Sequence, residues 1–156
     1  MDEFEKFYNK ALRFLSFRPR SEYEVTQNLS RKNASENIIS KVVSRLKENN
    51  FINDEEFIKW WIEQRIRFRP RSLKLIKIEL RQKGIDKELI EETISHLPSA
   101  IDDLESAKEL IDKRLPRYKN LSQEEKFQKI ARFLSSKGFS YDIIKEIFKN
   151  ITSASR

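Results

Sequence analysis

Leu80-Arg81-Gln82-Lys83-Gly84-Ile85-Asp86 reads as the end of one helix and the start of the next. Gly84 suits the left-handed C′ position. Ile85, at C″, can fold back onto Leu80 at C3, the apolar contact of a Schellman motif. Asp86 then caps a new helix at once. The same pattern returns as Leu134…Gly138-Phe139-Ser140, and in weaker form as Leu29…Asn33-Ala34-Ser35, where Asn is the next-best left-handed residue.

Working outward, the copies align over a longer stretch. Arg18-Pro19-Arg20-Ser21 recurs 51 residues later as Arg69-Pro70-Arg71-Ser72. That offset places Leu29 on Leu80, Lys32 on Lys83, Ile38 on Leu89, Ile39 on Ile90 and Val43 on Ile94. A further 54 residues brings Leu134, Lys137, Gly138, Ile143, Ile144 and Phe148 to the same places. A fixed period of this kind marks a repeat architecture. The third copy lacks the Arg-Pro-Arg turn and carries 116–121 with extra residues instead.

Helix starts agree with this frame. Ser21-x-x-Glu24 and Ser122-x-x-Glu125 are capping boxes, and Asn53 or Asp54 caps a helix whose first turn is acidic. Pro19 and Pro70 fall in turns, where no helix hydrogen bond is lost. Nine helices follow, over 2–17, 21–31, 35–49, 54–68, 72–82, 86–96, 99–115, 122–136 and 140–151. The expected fold is all-α: three tandem three-helix, helix-turn-helix-like repeats at 1–53, 54–98 and 99–151, forming an elongated, curved array, with a disordered tail at 152–156. Composition fits small stacked units. Of 156 residues, 38% are hydrophobic and 37% charged, so one large core would be thin, and two Gly and four Pro leave few places for β-turns.

Composition also excludes function classes. Without Cys there is neither a disulfide framework nor a thiolate metal site, and the single His96 cannot build a histidine zinc site. Two glycines so far apart form no phosphate-binding loop. Asp102, Asp103 and Glu105 read as an acidic first helical turn rather than a metal cluster, and His96 as a residue complementing a helix C-terminus. No enzymatic site, metal or cofactor is expected. The acidic first eight residues argue against a signal peptide, and no stretch reaches a membrane span, so a cytoplasmic monomer is expected.

Charge is uneven. The window 64–83 holds Arg65, Arg67, Arg69, Arg71, Lys74, Lys77, Arg81 and Lys83 against Glu79, which equals the whole chain's net +7. Such a window points to an anionic partner, nucleic acid first, against the alternative of a solvated helix face. Lys74, Lys77 and Arg81 share one helix face; Leu73, Ile76 and Leu80 form the apolar face beside it. On the preceding helix a stripe of Phe57, Ile58, Trp61, Ile62 and Phe68 is expected to be buried. Arg65 lies inside that stripe and calls for an ion-pair partner or a snorkelling stem. Trp60 lies off it, as a partner contact, a base-stacking platform or a packing residue.

These motifs carry a family resemblance. Arg18-Pro19-Arg20-Ser21-Glu22, Arg45-Leu46-Lys47-Glu48, Asn53-Asp54-Glu55-Glu56-Phe57, Glu79-Leu80-Arg81-Gln82-Lys83-Gly84-Ile85 and Arg132-Phe133-Leu134…Lys137-Gly138-Phe139-Ser140 resemble successive signatures of the RecX family, over about residues 5 to 150. Asn33 stands where Gly is usual, and Arg-Pro-Arg replaces the commoner Gly-containing turn before Ser72. The resemblance implies a modulator of recombination, DNA repair and the SOS response. Such a protein binds the RecA–single-stranded-DNA filament and restrains RecA ATPase, strand exchange and co-protease activity. The residues assigned to RecA or DNA contact are Arg18, Arg20, Arg65, Arg67, Arg69, Arg71, Lys74, Lys77, Arg81 and Trp60. A stand-alone protein binding single- or double-stranded DNA is the other reading.

Overall fold

A computed structural model describes residues 1–97 and 102–154. Among them are nine α-helices and no strand: α1 (Glu3–Phe17), α2 (Glu22–Arg31), α3 (Glu36–Glu48), α4 (Asp54–Phe68), α5 (Leu73–Gln82), α6 (Lys87–Ser95), α7 (Asp103–Asp112), α8 (Gln123–Ser136) and α9 (Tyr141–Ala154). A 3-10 turn, Leu115–Tyr118, stands between α7 and α8. Two elements depart from expectation. Helix α7 ends at Asp112, short of the expected 115, where the chain passes toward the 3-10 turn; 99–101, also expected in it, lie outside the described residues. Helix α9 runs to Ala154, so the tail expected from 152 is helical for three residues; residues 155–156 lie outside the described residues.

Turn chemistry sets the helix ends. Gly84 (φ 77°), Gly138 (φ 85°) and Asn33 (φ 68°) all adopt the left-handed conformation. Each completes a Schellman pair: Ile85 N–H donates to the Leu80 carbonyl and Gly84 N–H to Arg81, with equivalents at Phe139/Leu134 and Ala34/Leu29. A fourth such end, not evident in the repeat pattern, closes α3. There Asn50 (φ 58°) is left-handed and Phe51 N–H reaches the Leu46 carbonyl. Caps follow the sequence closely. Ser21 and Glu24 form a reciprocal capping box, Ser35 and Ser122 accept the N–H three residues on, and Ser140 Oγ accepts from Ile143. Asn53 caps α4 by accepting the Glu56 N–H, which leaves Asp54 free for another task. Asp86 occupies its cap position without a side-chain hydrogen bond.

The described chain forms two compact units: Met1–Trp61 with Glu79–His96, and Ile62–Ile78 with the described residues from Leu97 onward. Helices α4 and α5 each contribute to both, so compactness does not follow the three repeats one by one. In the first unit Phe7, Ala11, Val25, Leu29, Val42 and Leu46 pack into a core drawn from α1, α2 and α3. In the second, Ala107, Ile111, Ile130, Leu134, Ile144 and Ile147 do the same for α7, α8 and α9. Fully burying an aliphatic side chain of this size contributes about 1.5–3 kcal/mol, which holds helices too short to persist alone.

Successive repeats meet through one contact made twice, once in each unit. In the first, Ser21 Oγ donates to the Lys83 carbonyl at 2.7 Å, and the Glu22 N–H donates to Asp54 Oδ1 at 2.9 Å. In the second, Ser72 N–H donates to the Lys137 carbonyl at 3.0 Å, and the Leu73 N–H donates to Asp103 Oδ1 at 2.9 Å. Both serines are buried. The start of one repeat's second helix thus docks on the Gly-terminated helix end of the next repeat. The carboxylate opening that repeat's first helix satisfies an orphan N–H. The close approach also explains the glycines. A Cβ at Gly84 would overlap Tyr23, and one at Gly138 would overlap Ser72. Asn33, at the corresponding helix end of the first repeat, carries a side chain in the same left-handed conformation.

Candidate interaction surface

The residues singled out for partner contact fall into three environments. Arg18 and Trp60 come together in the first unit. The Arg18 guanidinium pairs with Glu24, donates to the Pro19 carbonyl at 2.7 Å, and lies 5.8 Å from the Trp60 ring and 5.9 Å from Trp61. Lys83 Nζ joins the same knot, 3.5 Å from Glu24 and 5.1 Å from the Trp61 ring, while Trp61 Nε1 donates to Glu79. Trp60 is half-buried and packs on Phe57 and Trp61. Burial works hardest against ionisation of Glu24. The Arg18 hydrogen bond, the Ser21 N–H and the charges of Arg18 and Lys83 outweigh it, holding the carboxyl below its usual range. Arg20 folds back on its own repeat, stacked 3.9 Å from the Phe14 ring centre with Nε donating to the Phe14 carbonyl.

A second group is partly covered. Arg65 and Lys77 are half-buried and each has an interaction partner within the protein. Arg71 is half-buried and donates from Nε to the Arg69 carbonyl. Helix α4 answers the question posed by Arg65 in favour of an engaged side chain, while Phe57, Ile58 and Ile62 are buried as expected. Phe68 does not join that stripe: it is 64% exposed. As the last residue of α4 it has no following helical turn to cover it, and the Arg67 guanidinium lies 5.4 Å from its ring.

The third group is open to solvent. Arg67, Arg69 and Lys74 are exposed in the second unit. Arg81, also exposed, belongs to the first unit and donates to the Ile85 carbonyl at 3.0 Å. On α5 the apolar face is as expected, with Ile76 and Leu80 fully buried and Leu73 partly so. Sequence reasoning missed the roles of Glu24, Asp54 and Asp103. For the two aspartates the one signal was position, an acid at the same place in two repeats at the start of a first helix; Glu24 was read only as half of a capping box, and its pairing with Arg18 and Lys83 left no local signal. Asp102 caps α7 and Asp103 binds the Leu73 N–H, so both have structural work. His96 Nδ1 lies 2.8 Å from the Glu92 carbonyl at the end of α6. Among the described residues no group of His, Asp and Glu is arranged to hold a metal ion, and no helix is long and apolar enough to cross a membrane.

This fold and surface define a class: an all-α protein of tandem three-helix repeats with cationic side chains on exposed turns and helix faces. Three family models match in succession: the first three-helix domain of RecX over residues 8–46, the second over 53–94 and the third over 101–148. The chain belongs to the RecX family. It is 35% identical to the regulatory protein RecX of Bacillus subtilis over 150 residues, covering 96% of this chain and 56% of that protein. With the Clostridioides difficile protein of the same name it shares 35% identity, covering 94% of this chain and 68% of that one. The crystal structure of RecX from Lactobacillus salivarius superposes with a TM-score of 0.79 at 31% identity, with 96% of each chain covered. The chain thus spans little more than half the length of its Bacillus relatives.

Proposed function

We propose that this protein modulates homologous recombination and DNA repair by binding the RecA filament on single-stranded DNA and restraining RecA ATPase, strand exchange and co-protease activity. It acts as a non-enzymatic cytoplasmic regulator that needs no cofactor. The observation that carries this reading is the run of three RecX domains in order along the chain, together with relatives named as regulatory proteins. The exposed Arg67, Arg69 and Lys74 support a contact to an anionic surface, since Arg forks and Lys point charges both suit carboxylates and phosphates.

The test is RecA's DNA-dependent ATPase rate with substoichiometric protein. The rate falls if the reading is right, and an unchanged rate at every ratio with the cognate RecA refutes it. Arg67→Glu with Arg69→Glu weakens inhibition while leaving helicity and melting nearly unchanged. A second reading, direct nucleic-acid binding, is favoured by the same exposed cations. It predicts a gel shift without RecA that weakens steeply with salt; a shift only in RecA's presence rejects it.

A further inference from the structure

The third repeat departs from the other two at 116–121, where the Arg-Pro-Arg turn is missing. In its place stands the 3-10 turn Leu115–Tyr118, whose Tyr118 packs in the core with Ile130 and Leu134 of α8, and a surface cleft of about 520 Å³ lies beside it within the second unit. Arg114 and Arg117, which precede α8, and Lys129 and Arg132 of α8 line it together with Phe133 and Tyr118. No carboxylate lines the cleft, and among the described residues none of the four cations forms an ion pair. This is the reverse of the first unit, where Arg18 and Lys83 converge on Glu24. Four like charges facing one space repel one another, and such an arrangement favours a bound anion.

We infer that this cleft binds the sugar–phosphate backbone of single-stranded nucleic acid. Three features favour that ligand over an acidic protein surface. Three of the four cations are Arg, whose planar fork grips phosphate with two bonds. Lys129 and Arg132 stand three residues apart on one helix, about 5–6 Å between Cβ atoms, a row of charge that suits successive phosphates of a strand. The aromatic floor matters too. Arg114 lies 3.7 Å from the Phe133 ring centre and both residues line the cleft, which makes the mixed Arg–aromatic surface that single strands use. The cleft is open, as a continuous strand requires. The site is separate from the Arg67–Lys74 surface and needs no RecA.

The experiment is fluorescence anisotropy of labelled oligodeoxyuridylate and oligouridylate, which differ in the sugar alone, about 16 nucleotides long to fill one site, titrated with the intact protein at several salt concentrations. Arg117→Gln with Arg132→Gln changes two exposed side chains. The expected result is weaker binding and a slope of log affinity against log salt shallower by about 1.4, at roughly 0.7 per phosphate contact. The stronger of the two oligonucleotides identifies the sugar. Arg67→Glu with Arg69→Glu leaves the cleft's contribution in place. Wild-type affinity and slope in the Gln variant overturn the inference, as does the absence of any strand binding by the wild type. Loss of RecA inhibition with strand binding unchanged also overturns it, in favour of an acidic protein partner. Photo-crosslinking of a thiouracil-containing strand to the unmodified protein gives a check independent of folding: crosslinks within 114–136 are expected, and crosslinks confined elsewhere refute the site.

Discussion

Gly84→Ala tests how the repeats are joined. Two costs act on it. Holding Ala at φ 77° costs about 1–2 kcal/mol relative to a right-handed residue, offset by about 0.4–1 kcal/mol because the unfolded chain loses freedom. The added methyl also overlaps the first side-chain atoms of Tyr23, which are anchored to α2 and cannot swing away. Overpacking of that kind adds about 1–3 kcal/mol. The expected loss is therefore about 2–4 kcal/mol, which lowers the melting temperature by roughly 4–16 °C for a chain of this size. A double-mutant cycle separates the two costs. Tyr23→Gly removes the overlapping atoms, at about 1 kcal/mol for a glycine in a helix, and that term cancels in the cycle. In the Tyr23→Gly background Gly84→Ala should recover the overlap energy and keep only the backbone cost, a coupling of about 1–3 kcal/mol. Denaturant unfolding followed by circular dichroism measures all four corners. Additivity within about 0.5 kcal/mol would refute the claim that repeat docking, rather than backbone conformation alone, demands glycine there.

Other consequences are as direct. Ser21→Ala removes a buried cap and leaves the Lys83 carbonyl without its donor, costing about 1–2 kcal/mol in thermal or denaturant unfolding. Leu134→Ala, at a fully buried site in the third repeat, costs about 2–5 kcal/mol by the same assay. Two carboxylates should show opposite pH behaviour. Glu24 is held low in the folded state, so its stabilisation is present above its unfolded pKa and is lost as pH falls through the folded value. Glu24→Gln therefore destabilises at neutral pH and flattens the acid limb of the stability curve. Burial first, then the Glu22 and Asp86 charges, push Asp54 up despite its Glu22 N–H bond and Lys47, so its stabilisation is present at low pH and fades as pH rises. Asp54→Asn keeps an acceptor for that N–H and should be neutral or stabilising at pH 7; marked destabilisation there would contradict this account.

Most of the fold was legible in local sequence because local chemistry specifies it. A left-handed residue after an apolar C3, a Ser or Asp directly beyond, and apolar positions at helical spacing identify a helix end, a start and a buried face without any knowledge of neighbours. Helix ends at 31, 82 and 136 needed only that information, and those at 17 and 68 only the proline two residues on. The end of α3 near 49 was legible too, but not the left-handed Asn50 beyond it, which belongs to no repeated motif.

The interaction surface was much less legible. A window of charge is a property of the chain, but whether a guanidinium is free depends on what the fold brings beside it. Arg18 and Lys83 lie 65 positions apart in sequence and meet on Glu24; Arg67 and Arg69, in the same basic window as Lys83, stay open. Conversely, Arg114, Arg117, Lys129 and Arg132 are diluted in the sequence by neighbouring acids and gather only when the 3-10 turn faces α8. Helices, their caps and the three repeats follow from local sequence, because hydrogen bonds between near neighbours and apolar periodicity are written in adjacent residues. Why Gly84 and Gly138 must lack a side chain, and which cations are neutralised and which remain open, emerge once the chain is folded. Close approach and charge pairing depend on distance in space, and residues far apart in the chain supply it.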